Sequence, residues 1–197
     1  NINTSPVLDL KRKVTSKVIG DRSFSNNANV ISKIGDAMIE KFHNNKIATV
    51  IKHIPGHGLA KSDSHKFMPI VKKNLKYLEG ADFKAFKKKK SLFAMTAHIL
   101  FKDIDSSNTT THSKKLINII RNKINFKNII ISDDISMKAL KFSTKINTQK
   151  AFRSGCNLVL HCNARMSEMK IVGENSPKLD KFLLKKTSEF YKIVSIK

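Results

Sequence analysis

Five short apolar runs punctuate the chain, and none of them alternates with polar residues. Ile2–Leu8, Ala48–Lys52, Leu92–Ala97, Asn128–Ser132 and Asn157–Leu160 read as continuous stretches, NIIIS and NLVL being the clearest. A strand wet on one face is apolar only at every second position. Continuous runs therefore predict strands buried on both faces, as in a parallel sheet. Between and after them lie helical patterns at about Ala28–His43, Glu79–Lys89, Ser113–Ile124 and Thr144–Ser154, then a terminal helix near Pro177–Ile196. Ser113 precedes KKLINIIRNK, where its hydroxyl would cap the first turn. Gly155 follows AFRS, where a left-handed C-cap costs glycine least.

Short strands alternating with helices imply right-handed βαβ crossovers and an α/β fold. Two architectures fit: about five of the eight βα units of a (β/α)₈ TIM barrel, or a doubly wound sheet. At 197 residues the chain holds a real core but falls short of the ~250 of a full barrel. Nothing in it reads as a linker or a second domain, so residues 1–197 form a single unit.

Charge changes this picture little. The formal net charge of +23 invites a nucleic-acid partner, yet only five of the 38 basic residues are Arg, the type favoured for bidentate phosphate and base recognition. The lysines scatter over every segment apart from the Lys87–Lys90 run, and aromatic residues suited to base stacking are not interleaved with them. No nucleic-acid role is expected. No apolar run approaches the ~20 residues of a membrane helix, and the opening NINTSPVLDL has neither the basic head nor the apolar core of a signal peptide. Cys156 and Cys162 flank NLVLH; in an extended segment they stand about 20 Å apart, beyond the ~7 Å a disulfide spans. A reducing cytoplasm is the expected compartment.

Polar residues gather where the predicted strands end. Lys52 and His53 follow the second, His98 the third, Asp133 and Asp134 the fourth, and His161 the fifth. In parallel α/β folds the carboxyl ends of the strands carry the active site. The segment KHIPGHGLAKSDSHKFMP is a loop broken by Pro55, Gly56 and Gly58, and it carries His53, His57 and His65, with Asp63 beside the last. The histidine spacing matches no helical HxxxH set and no carboxylate completes a familiar one, so no metal is expected there. His161 beside Cys162 lacks a second ligand pair and reads as a strand-end residue. An acid/base His held by Asp63 is one reading of the loop. A solvated pair without a role is the other, and spacing alone leaves both open.

KHIPGHG followed by DSH, then MTAHI and ISDDISM, with SPVLDL and IGDRSF upstream, resembles the bacterial β-N-acetylhexosaminidases of glycoside hydrolase family 3. The resemblance runs from about Ile2 to Asn163. It implies the (β/α)₈ barrel and a retaining glycosidase that removes terminal N-acetylglucosamine from cell-wall fragments. Asp133 aligns with the nucleophile, His65 with the proton donor and acceptor, and Asp63 with its partner carboxylate. Arg22, Lys52 and His53 align with residues that bind the terminal sugar. Asp134 is expected to cap a helix beginning near Ile135, and His98, Met95 and Met137 to pack the barrel wall.

The implied chemistry suits these residue types. A carboxylate attacks the anomeric carbon and leaves a covalent glycosyl-enzyme, which water then releases with retention. The usual second carboxylic acid is replaced by an imidazole, which near neutral pH both gives and takes a proton. No metal or organic cofactor is needed. The family's barrel begins about three βα units before SPVLDL, and its early acidic sugar-binding motif has no counterpart here. An alternative is therefore a non-catalytic remnant or split-gene fragment. The unclosed barrel predicts open strand edges, unpacked inward residues such as Ile129 and Ile131, and completion by a missing amino-terminal segment or by self-association.

Overall fold

In a computed structural model that describes residues 1–195, five strands form one parallel sheet. They are β1 (Ile2–Asn3), β2 (Ala48–Ile54), β4 (Phe93–Thr96), β6 (Ile129–Asp134) and β7 (Leu158–Leu160), and their order across the sheet is their order in the chain. A doubly wound sheet reverses its strand order at a switch point. This sheet has no reversal, so that alternative falls. A second parallel pair, β3 (Ile70–Val71) with β5 (Leu100–Phe101), lies outside the sheet and escaped the sequence reading because each strand is two residues long.

Register sorts the side chains into two layers. Val50 pairs with Phe93 and Phe93 with Ile129, so these three share a face, while Ile51, Ala94 and Ile130 share the other. The second set packs in one core with Ile31 and Ile39 of α1 (Ala28–Asn44), Leu116, Ile117 and Ile120 of α3 (Lys114–Asn122), and Ala151 of α4 (Thr144–Ser154). Helix α1 comes close because Gly35 has no side chain: a Cβ there would meet Leu8 Cδ2 at 2.6 Å. The caps act as expected. Ser113 Oγ accepts from Leu116 N at 3.2 Å, and Gly155 takes φ +112°.

The inner layer is closed differently from expectation. Ala48, Val50, Phe93, Met95 and Ile129 cluster with Leu183 and Val194 of α6 (Lys181–Val194), and Phe190 meets Phe93 edge-on at 6.0 Å. Ile129 is only 3% exposed, and Ile131 packs against the same cluster. The inward residues are thus not left bare. Ala48, Phe93 and Ile129 open their strands, and Arg121, which donates to Asn128 O, stacks on Phe182 at 5.9 Å. Helix α6 therefore packs on the inner face of the sheet, meeting residues that open the strands.

Other boundaries moved for local reasons. β1 stops at Asn3, and pairing with β2 resumes around Val7, where Pro6 O accepts from Lys52 N at 3.2 Å and Leu8 N donates to Lys52 O at 2.7 Å. The stretch Glu79–Lys89 is not one helix. Asn74 caps α2 (Leu75–Gly80) by accepting from Tyr77 N at 2.9 Å, and a separate 3-10 turn covers Asp82–Phe86. That break lets Asp82 turn inward to Arg12 at 2.7 Å. Helix α5 (Met166–Glu174), which buries none of its residues, was not expected, and the predicted last helix starts at Lys181, with Ile196 outside the described residues. No helix among the described residues is long and apolar enough to cross a membrane.

Candidate active site

Two strands are irregular where they carry polar side chains. In β2, Lys52 pairs with Met95 but Ile54 already pairs with Thr96, so His53 is an extra residue. In β6, Ile131 pairs with Leu158 and Asp134 with Leu160, which leaves Ser132 and Asp133 against one residue of β7. Such bulges re-aim the side chains they contain. Ser132 Oγ satisfies the displaced ladder by accepting from Leu160 N at 2.9 Å.

The bulge of β2 is anchored from β1's extension. Asp9 is completely buried, and its carboxylate accepts from His57 N at 2.7 Å and stands 2.7 Å from His53 Nδ1, with His53 N also donating. Burial alone would raise this carboxyl, but the charge and hydrogen bond of His53 and the contacts of His57 leave it below its ordinary value. His53 is thereby fixed with Nδ1 toward Asp9. Asp9 lay inside SPVLDL without an assigned role; a charged residue closing an apolar run was the available signal. Gly58 completes the packing, since a Cβ there would stand 2.4 Å from Leu10 O.

Lys52 is half-buried beside this pair. Burial and the Arg22 guanidinium lower its pKa, while Asp133 and Asp9 oppose them. Arg22 itself is exposed in the Gly20–Arg22 turn, where Nε donates to Val18 O at 3.0 Å. The structure thus gathers Arg22, Lys52, His53 and Asp133 at one end of the sheet. His57 joins them. Its ring is buried, has no hydrogen-bond partner among the described residues, and titrates at about 4 because burial disfavours its charge, although Asp9 and Asp133 draw it upward.

Asp63 and His65 lie on the loop after β2, His65 exposed and Asp63 partly buried. His65 Nδ1 is 2.9 Å from Asp63 Oδ1, which also accepts from His65 N at 2.9 Å. Burial would raise the Asp63 carboxyl, but the His65 hydrogen bonds and the charges of His65 and Lys66 together bring it below its ordinary value. No hydrogen bond joins His65 to Asp133 among the described residues. The loop is tied to the segment after Asp133 through Ser64, whose carbonyl accepts from Ala139 N at 3.2 Å.

Asp134 does not cap a helix. The chain turns after β6, and the next helix, α4, is capped by Ser143. Asp134 instead accepts from Ser136 N at 3.0 Å and Cys162 N at 3.2 Å, and Ser136 Oγ donates to its other oxygen at 2.6 Å. Its own N–H donates to Asp133 Oδ1 at 2.8 Å. His98, expected as wall packing, is fully buried and makes two polar contacts there, to Thr111 Oγ1 at 2.7 Å and to Asp134 O at 3.0 Å. Met95 is buried in the inner apolar cluster as expected, and Met137 is buried too. His161 is a strand-end residue paired with Glu168 at 2.6 Å, and Cys156 and Cys162 are both free.

Comparison with known proteins adds the following. Residues 1–181 match the family model described as the glycosyl hydrolase family 3 N terminal domain. A β-hexosaminidase of Actinobacillus pleuropneumoniae serotype 3 is 34% identical over 169 residues, covering 83% of this chain and 48% of that protein. One from Idiomarina loihiensis is 32% identical over 181 residues, covering 90% and 54%. The crystal structure of NagZ from Neisseria gonorrhoeae in complex with N-trifluoroacetyl-D-glucosamine superposes with a TM-score of 0.84 at 27% identity, covering 98% of this chain and 59% of that one. The five-stranded sheet is thus part of a (β/α)₈-type barrel, and the chain spans about half the length of the curated relatives it matches.

Proposed function

The chain belongs to glycosyl hydrolase family 3, and on that premise we propose that it carries the reacting residues of a retaining β-N-acetylhexosaminidase acting on terminal N-acetylglucosamine of cell-wall fragments. The observation that carries this reading is the convergence at the carboxyl ends of the strands. Asp133 sits on the bulge of β6 beside the Lys52 charge, and the turn that follows it is bonded to the loop bearing the Asp63–His65 pair.

In this reading Asp133 attacks the anomeric carbon. His65, oriented by Asp63, protonates the leaving oxygen and then deprotonates the incoming water. Lys52 and Arg22 hold sugar hydroxyls by charge-assisted hydrogen bonds, and His53, locked by Asp9, presents its second nitrogen to the sugar. No metal or organic cofactor takes part. A cytoplasmic role in recycling peptidoglycan fits the small soluble substrate, and neither nucleic acid nor a membrane is a partner. Residues 1–197 supply about five βα units of one catalytic domain. The remaining units, with their acidic sugar-binding motif, come from sequence outside these residues or from a separate polypeptide.

The test is covalent trapping in the completed barrel. A slow 2-fluoro sugar should label the peptide containing IISDDISM, Asp133→Ala should abolish turnover, and Asp134→Ala should leave it measurable. Label on another peptide, or no label in a fully folded protein, refutes the assignment.

A further inference from the structure

We propose that His98 is a positioning residue for Asp133, acting through the backbone of Asp134, with Thr111 and Thr96 setting the ring tautomer in which it does so. This rests on the reading of Asp133 as nucleophile.

A carbonyl only accepts, so the 3.0 Å contact to Asp134 O requires that His98 Nε2 carry a proton and donate. The other nitrogen, in a neutral ring, must then accept. Thr111 Oγ1 lies 2.7 Å from it and supplies its single hydroxyl proton. Having spent that proton, Thr111 Oγ1 accepts from Thr96 Oγ1, 2.8 Å away. One direction runs through the whole chain: Thr96 to Thr111 to His98 to the Asp134 carbonyl. All three side chains are fully buried, so water does not compete for these protons. Burial also lowers the pKa of the ring, against the pull of Asp133 and Asp134, and keeps it neutral.

The relay is fixed at its far end as well. Thr111 O accepts from Ser154 Oγ at 2.6 Å, which ties the 3-10 turn Thr110–His112 to the end of α4. At its near end Asp134 is held on both sides of its Cα: its N–H donates to Asp133 Oδ1 and its carbonyl receives His98. The nucleophile sits on a bulge, where no regular ladder holds the backbone. The Asp134 carbonyl belongs to the Asp134–Ile135 peptide, so His98 fixes the backbone on one side of the Asp134 Cα while the N–H on the other side holds the Asp133 carboxylate.

Three variants of the completed-barrel protein test this. His98→Phe keeps a planar ring but removes both nitrogens, and His98→Gln returns an N–H near the Nε2 position. Thr111→Val removes the proton that sets the tautomer without changing shape. We expect His98→Phe to lower kcat and the rate of trapping by a 2-fluoro sugar about 100-fold, the scale of a 1 Å misplacement. KM and the binding of free N-acetylglucosamine should be unchanged. His98→Gln should recover part of the loss, and Thr111→Val should cost about tenfold, the worth of one hydrogen bond. Ring-nitrogen NMR of the completed-barrel protein should show His98 as the Nε2–H tautomer at neutral pH, with mixed tautomers in Thr111→Val. An Nδ1–H or doubly protonated ring overturns the proposal. So does normal kcat in Thr111→Val, or a loss of melting temperature with unchanged trapping rate. Full turnover by Asp133→Ala would instead defeat the nucleophile reading and leave the tautomer result standing.

Discussion

Acid should destabilise this protein before most of its carboxylates titrate, because two histidines are buried without charge. His57 and His112 are 2% and 9% exposed, and burial holds both at about 4, from an ordinary 6.5. Each is a base whose folded pKa lies below its unfolded one. The unfolded chain therefore binds the extra proton between pH 6.5 and 4, and stability falls as pH is lowered through that window. The full shift of 2.5 units corresponds to about 3 kcal/mol per ring. At pH 5 each contributes a loss of about 2 kcal/mol relative to pH 7.5, so the pair costs about 4 kcal/mol against a typical total of 5–15. His43 and His98 shift in the same direction. Asp82, raised by burial, works the other way, and the stabilisation from the depressed Asp9 fades only below the window. The assay is urea unfolding followed by far-UV circular dichroism at pH 5.0 to 7.5 and constant ionic strength, at two low protein concentrations so that association is recognised. His112→Leu removes one titrating ring of similar volume and should reduce the loss between pH 7.5 and 5 by about 2 kcal/mol. If parent and variant lose stability in parallel, the neutral burial of His112 is not its cause.

Three further outcomes follow from the geometry. His65→Ala should slow natural substrates far more than aryl glycosides with good leaving groups, which need little protonation; equal losses, measured as kcat/KM ratios, would remove His65 from the acid role. Leu183 is buried in the inner cluster whereas Leu184 is 54% exposed, so Leu183→Ala should cost about 2–5 kcal/mol and Leu184→Ala under ~0.5 in chemical denaturation. Among the described residues β1 and β7 each have one sheet edge unpaired, with Ile2 49% exposed, so residues 1–197 alone should self-associate in light scattering and hydrolyse an aryl N-acetylglucosaminide poorly. A monodisperse monomer with full turnover would overturn that expectation.

Much of the fold was legible because burial leaves a local signature. The runs Ala48–Lys52, Leu92–Ala97 and Asn128–Ser132 are apolar at consecutive positions since helices cover one face and the barrel interior the other, and β2, β4 and β6 appear there. Ser113 and Gly155 were readable because a cap acts within one turn of its own helix. Chemistry was readable only in part. Motif order pointed to Asp133, His65 and Asp63 through resemblance, while spacing alone left the loop pair undecided.

What the tertiary structure decided is what depends on distant segments meeting. Asp134 looks like a helix cap until Cys162, 28 residues on, claims its carboxylate. Ile129 looked bare until α6 packed on the inner face of the sheet. Asp9 and His53 are 44 residues apart, and neither carries any local mark of the other. Periodicity reports which side of a residue avoids water. Only the closed path of the chain decides which group it then meets, and a buried carboxylate or ring nitrogen takes its role from that partner.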